Sequence, residues 1–387
     1  MRRDQKQHYV PKGMLKNFGI RKDNGEYEVY MMDLSESIVE PRNPVSVMRE
    51  KNIYNIPSGD ETLEKKLDKK IEDPMFKIVK RLSKNIGEIV LTRRELDVVK
   101  KYILIQIFRS LQNMRTYEVL PEEVKLLMGK DPKEGENGLD FWKRELETIV
   151  GNDWDSLLEI ENMESVRFNA RVVANGFLTF FSTKDEFVIN DSGAIYERLM
   201  GEIPKDKNER RTYINTGIWL PLSSNLAIAC VDRIFRGYFI DPGFTEKYPD
   251  LTYSALFGFL NPPEQTYVNR AAINEYFEKA KRKHAEEITE LSTEEKFYFI
   301  NSLRDEAVLE YKDDNDLYIY TVHRLGPVLT TYWNVWVMNE VDRYLCFKTP
   351  AKLIPAIEEY NQMKADGKRM NNDYADYANR LKALNKG

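Results

Sequence analysis

The pattern of apolar and polar positions divides the chain into a helical front, a strand-bearing middle and a helical rear. Residues 93–116 give the clearest helix. Val98, Val99, Ile103, Leu104, Ile107 and Phe108 make it apolar on nearly every side, and a helix apolar all round is buried. Thr92, with Glu95 three residues on, supplies a capping-box signature at its start. Residues 61–90 also read as helical, with a break at Pro74. Ahead of them, residues 1–60 are irregular with short strands, of which Tyr27–Met32 alternates after the turn signal Asp23-Asn24-Gly25. Residues 130–140 form a loop rich in Gly, Pro and Asp, and 141–165 form one or two more helices.

The texture then changes. Residues 170–190 are rich in β-branched and aromatic types, and Ile214 to Val231 reads the same way, so two or three strands are expected. The charged stretch 201–212 between them is a predicted surface loop. From 266 onward the pattern is helical. Glu275 to Glu290 is charged and periodic, Ser292-Thr293-Glu294-Glu295 repeats the capping signal, and 351–387 is a polar helical tail. The fold class that follows is α+β: a mainly helical body with a small, largely antiparallel central sheet from residues near 27–32, 170–190 and 214–232.

Composition narrows the function classes. The chain has 387 residues, 42% of them hydrophobic, enough for one large core or two ordinary ones. A net charge of −5 and a pI near 5.6 argue against non-specific polyanion binding as the main task, though they leave a local basic groove open. The two cysteines, Cys230 and Cys346, sit in apolar runs and read as buried thiols; a disulfide framework is excluded by their number. Met1-Arg2-Arg3-Asp4-Gln5-Lys6 has no apolar stretch behind it, and no run approaches the roughly 18 apolar residues of a spanning helix. The expected location is the cytoplasm, with no membrane partner.

Four places carry candidate chemistry. His8, in Gln7-His8-Tyr9-Val10-Pro11, is either a hydrogen-bonded packing anchor or a proton shuttle or phosphate contact. His284 lies in a charged helix and reads as solvent-facing, and His323 reads as a core residue. On the buried helix, Tyr102, Gln106, Arg109 and Asn113 share one face by their spacing. An arginine there needs a partner, so it forms a structural ion pair or clamps a ligand carboxylate or phosphate. In Ile189-Asn190-Asp191-Ser192-Gly193, Asp191 stands at a strand end and is a natural partner for Arg109 or His8, or else part of an ordinary turn. Trp219-Leu220-Pro221-Leu222 reads as structural. The chain has no GxxxxGK[ST] loop, no GxGxxG after a strand, no HExxH and no GxSxG elbow. No pattern names a cofactor or a metal, although 63 acidic residues leave a carboxylate-only magnesium site open.

In this order the pieces resemble a known family. Gln7-His8-Tyr9-Val10-Pro11 followed by Met14-Leu15-Lys16-Asn17-Phe18 resembles the "HYVP-x-x-x-L-x-x-F" opening of the microbial family called domain of unknown function 4238. Gln106-Ile107-Phe108-Arg109 resembles its helical "Q-x-x-R" stretch, Phe187 to Gly193 its strand end, and Pro221-Leu222-Ser223 its "P-L-S/T-p" strand. A later family asparagine corresponds to Asn269 or Asn274. Two departures stand out: Asn190 and Gly193 occupy positions where the family has Ser and Pro.

The resemblance spans residues 5–285. It divides the chain into a family core, 1–285, and a helical C-terminal extension, 286–387. It implies that His8, Gln106, Arg109 and Asp191 converge on one polar site, and that the protein acts in conflict with phage or mobile elements. The expectation is a nuclease-like or other phosphate-substrate hydrolase acting on nucleic acid or nucleotide. In it His8 is the general acid or base, Arg109 the clamp, Asp191 the base, orienter or metal ligand, and Gln106 the holder of substrate or water. The alternative is a non-catalytic sensor for a small anion or peptide, with the C-terminal helices docking a protein partner. A third reading makes the four residues a buried structural network.

Overall fold

Alternation in residues 6–51 is realised as short strands around one five-residue α-helix. We describe a computed structural model for residues 6–51, 53–54, 63–84, 86–118, 133, 136–201, 212–231, 266–267, 270–310 and 316–384. Strand β1 (Lys6–His8) runs antiparallel to β5 (Arg49–Lys51), with His8 opposite Arg49. Pro11 then opens helix α1 (Lys12–Lys16). Strand β3 (Tyr27–Asp33), entered through Gly25 at φ +83°, pairs antiparallel with β2 (Ile20–Arg21) and β4 (Ile38–Arg42). It also takes β14 (Tyr344–Phe347), which in turn pairs with β8 (Ile189–Asn190).

A second sheet holds the apolar middle of the chain. Strands β7 (Phe177–Thr183) and β11 (Leu226–Val231) are buried along their whole length, as suits unbroken apolar runs covered on both faces. They lie between β10 (Thr212–Ser223), followed by β9 (Ile195–Gly201), on one side and β13 (Leu317–Leu325) on the other. The first half of β13 also pairs with β6 (Glu88–Thr92) and β12 (Thr266–Tyr267), whereas its second half runs parallel to β7. The helix Pro327–Asn339 seals one face, where Trp333 packs against Phe181, Phe187 and Trp219. Trp219 and its strand are thus core. Cys230 and Cys346 are buried free thiols, and burial pushes the Cys346 thiol up. The architecture is α+β, mainly helical with small, largely antiparallel sheets. Among the described residues no helix is long and apolar enough to cross a membrane.

The structure corrects four expectations. Strand 27–33 does not share a sheet with 177–183 and 212–231; each region has its own. The segment 286–387 is not purely helical, because β13 and β14 complete both sheets, and an isolated strand gains its hydrogen bonds only from such distant partners. The helix expected over 93–116 ends at Arg109. Ser110 takes an extended conformation (φ −58°, ψ 144°) and caps a new helix, α5 (Leu111–Thr116), by accepting from the Asn113 amide. Pro74 does not break the helix over 63–82. Helix α2 (Leu63–Leu67) passes through a π turn, Asp68–Glu72, into α3 (Asp73–Leu82), where Pro74 occupies a first-turn position that needs no N–H partner. The capping boxes at Thr92/Glu95 and Ser292/Glu295 both form. Most of the charged stretch 201–212 lies outside the described residues, as does Asn269.

Asp191 ties the C-terminal segment to the middle of the chain. Its carboxylate accepts the backbone N–H groups of Asp342, Arg343 and Tyr344 at 3.0, 2.6 and 2.9 Å. Beside it, Asn190 donates to the carbonyls of Val337 and Glu340. Asp191→Ala leaves three part-buried donors without their acceptor at once, so it is expected to cost about 2–3 kcal/mol in urea unfolding. It should also speed hydrogen exchange at the amides of 342–344 ahead of the rest of the sheet.

Candidate functional site

His8 and Arg109 meet at the floor of a cleft of about 780 Å³ between α1 and the α2–α3 helical segment. Arg109 ends α4 (Arg93–Arg109), and the apolar all-round helix carries it into the interior, where it is 1% exposed. An isolated charge there is prohibitive, so every direction of its fork is occupied. Nη1 pairs with Glu72 Oε1, Nε donates to Tyr54 Oη at 2.6 Å, and Nη2 donates to the backbone carbonyl of His8. Burial works against the charge, but Tyr54 and Glu72 outweigh it and hold the guanidinium protonated. Burial also pushes the Glu72 carboxyl up in spite of Arg109.

The N-terminal strand is pinned by the same network. Tyr54 Oη also donates to the His8 carbonyl at 3.2 Å, and its backbone N–H donates to Gln7 Oε1 at 2.7 Å. Glu64, from the start of α2, accepts from the His8 backbone N–H and from the Gln7 side chain; burial is the larger effect and raises its carboxyl above the ordinary range. The His8 ring lies half-buried, with Nε2 3.3 Å from the Pro44 carbonyl. A carbonyl only accepts, so Nε2 carries the proton and Nδ1 is the basic nitrogen. Burial, then the Arg109 charge, lowers the imidazole to about 4, and it is neutral at pH 7.

The remaining walls carry charge of both signs. Lys12 and Lys16 come from α1, Lys65 from α2, and Lys80 and Lys84 from α3 and the turn after it; Asp68 and Asp73 stand near Glu72. Among the described residues no group of three or more His, Cys, Asp or Glu side chains is placed to hold a metal ion.

Gln106 and Asp191 lie elsewhere. Neither lines the cleft. Gln106 is buried one turn back along α4, beside Gly193: a methyl group at 193 would stand 2.8 Å from Gln106 Oε1. Gly193 has φ +66°, which proline is barred from adopting, so the departure from the family's proline is matched by a different turn. Val10 touches the same glycine position. The acidic partner of Arg109 is Glu72, not Asp191. Asn113, expected on the stripe of Arg109, instead donates to the Phe108 carbonyl beyond the Ser110 kink. Glu64, Glu72 and Tyr54 were not singled out in the sequence, although Glu64, Asp68 and Glu72 recur every four residues on a predicted helix, a legible acidic stripe. His284 pairs with Glu287 at the surface, and burial lowers His323.

A family model described as "Protein of unknown function (DUF4238)" matches residues 6–237. The chain belongs to this family. The DUF4238 match takes in β1, α1, α4, the Asp191 turn and β11, and stops before β13 and β14, so strands outside the match complete both sheets of this member. Asn269 and Asn274 also fall beyond it. Neither a curated protein nor a solved structure matches the chain.

Two measurements test this DUF4238 site. His8 binds a proton in the unfolded chain below about 6.5 but in the folded protein only below about 4. Stability is therefore lost as pH falls between those values. His8→Gln should remove about 2–3 kcal/mol of that loss in urea titrations at pH 4 and 6.5, after discounting for solvent at the ring. Separately, Arg109→Met should cost about 3–5 kcal/mol by leaving Glu72 buried and unpaired. Adding Glu72→Gln should recover part of it, a coupling that a double-mutant cycle reads directly.

Proposed function

We propose that this cleft binds a phosphate-bearing substrate and that His8 and Glu64 hydrolyse it. The observation that carries the reading is the juxtaposition of a neutral imidazole with a carboxyl of raised proton affinity on the floor of a lysine-rimmed cleft. His8 Nδ1 takes a proton from water as the water oxygen attacks phosphorus. Glu64, whose carboxyl burial raises above the ordinary range, gives its proton to the leaving oxygen as the bond to phosphorus breaks, and the proton on His8 later restores it. Lysine ammonium groups stabilise the charge on the other phosphoryl oxygens. Arg109 is not the clamp in this scheme, since each of its three nitrogens already donates to a protein acceptor. It holds the His8 backbone, and thereby the ring, in place. Gln106 and Asp191 keep the structural positions described above. The setting we assign to the activity is conflict with phage or mobile elements.

The same fact about Arg109 favours a second reading, a sensor that binds an anion without turnover. The two separate on one experiment. Phosphodiester and phosphomonoester probes are incubated with the intact protein, with His8→Gln and with Glu64→Gln, each checked for a native unfolding transition. Hydrolysis that falls 100-fold or more in both variants is expected for acid–base catalysis. Thermal stabilisation by a probe recovered unchanged from all three proteins establishes the sensor instead.

A further inference from the structure

The charges that the α2–α3 segment brings to the cleft are ordered along its axis, and that order points to a ligand class. Two helices furnish the lysines, Lys12 and Lys16 on α1, and Lys80 on α3 with Lys84 in the turn after it. The α1 pair lies on one face, about 6 Å apart along the helix axis. Phe76 precedes Lys80 by four residues, so these two share a face of α3. The two helices approach closely because residue 13 is glycine: a methyl group there would overlap the Phe76 ring. The missing side chain brings the lysines of α1 and α3 to one opening.

Aromatic surface lies between those lysines. Phe76 and Tyr27 both line the cleft and both are only partly buried, and Lys16 Nζ sits 5.6 Å from the Tyr27 ring centre. Along the α2–α3 segment the carboxylates Glu64, Asp68, Glu72 and Asp73 precede Phe76, and Lys80 and Lys84 follow it, while Lys12 stands close enough to His8 to act on its charge. The basic, aromatic-bearing arm is therefore an extended surface leading to the reactive floor. A single phosphate needs no such arm, and a duplex presents no free base faces to the rings.

We infer that the ligand is single-stranded nucleic acid, its phosphates tracking Lys12, Lys16, Lys80 and Lys84 and its bases lying against Phe76 and Tyr27. This rests on the reading of the cleft as a phosphate site but not on turnover. The backbone contacts are sequence-independent and dependent on salt, whereas the stacking is not.

The test is fluorescence anisotropy of labelled single strands of about 12 nucleotides, in DNA and RNA forms, across a salt series. The full chain is used with His8→Gln in place, so that any hydrolysis is suppressed. Binding is expected for the single strand, with at least tenfold weaker binding of the duplex of the same sequence. Lys80→Ala/Lys84→Ala should flatten the slope of log affinity against log salt by about 1.4. Phe76→Leu should weaken binding about tenfold with the slope unchanged; these lysines are exposed, so the double variant reports even where Phe76→Leu perturbs packing. Retained binding with no hydrolysis by the unmodified chain would leave this inference standing and remove the catalytic one. Hydrolysis of small phosphate esters without strand binding, equal competition by a mononucleotide, or a slope unchanged in the lysine variant would each overturn it.

Discussion

A single buried guanidinium organises the N-terminal half of the molecule. Arg109 reaches the interior because its helix is apolar on nearly every side, and once there its charge must be met. Three separate stretches of chain meet it: Glu72 from the π turn, Tyr54 from the loop after β5, and the His8 carbonyl from β1. None of these is near Arg109 in sequence, so the charge fixes their mutual placement. The π turn fits the same demand. Two turns of α-helix take about 7.2 residues, and the wider turn at Asp68–Glu72 lets eight residues complete the circuit. Glu64 and Glu72 are thereby returned to one side, facing β1.

The N-terminal strand separates two polar regions that the sequence had suggested were one. On one side, His8 faces the cleft with Glu64 and the lysines. On the other, Tyr9 and Val10 are buried, and Val10 meets the turn where Gly193 and Gln106 touch and where Asp191 holds the 342–344 backbone. Strand β1 ends at His8 and the chain bends at Tyr9 and Val10, so neighbours in a short motif serve different regions. The strain-free left-handed turn at Gly193 and the close approach of Gln106 make this second region a joint between the family core and the strands added after it.

Much of this was legible, and the failures have physical causes. Helix α4 was readable from periodicity and capping, and the turn at Gly25 from its residues. The need of Arg109 for a partner followed from burial alone. Which partner it takes did not, because 63 acidic residues compete on paper and only folding brings Glu72 within reach. Strands β13 and β14 were missed for a related reason: Leu317–Leu325 and Tyr344–Phe347 are flanked by strong helical patterns, and what makes them strands is pairing with β6, β7, β3 and β8 far away in the chain. The Ser110 kink hinges on one side chain capping a new helix in the midst of an uninterrupted helical pattern, a local competition that propensity alone does not decide.

A net charge of −5 and a lysine-rimmed cleft are not in conflict. At physiological ionic strength, charges separated by more than about 8 Å are largely screened from one another. A ligand within the cleft therefore responds to Lys12, Lys16, Lys80 and Lys84 far more than to acidic residues across the molecule. The same screening divides the cleft internally. On the proposed reading, the carboxylates near the floor repel a polyanion locally and Lys80 and Lys84 attract it, so an anionic chain would lie along the basic arm with only a short length near His8. Neutralisation of Glu72 by Arg109 weakens that repulsion at the imidazole itself. On the proposed reading, the interaction that lets a charge be buried also sets how closely a phosphate would come to His8 Nδ1.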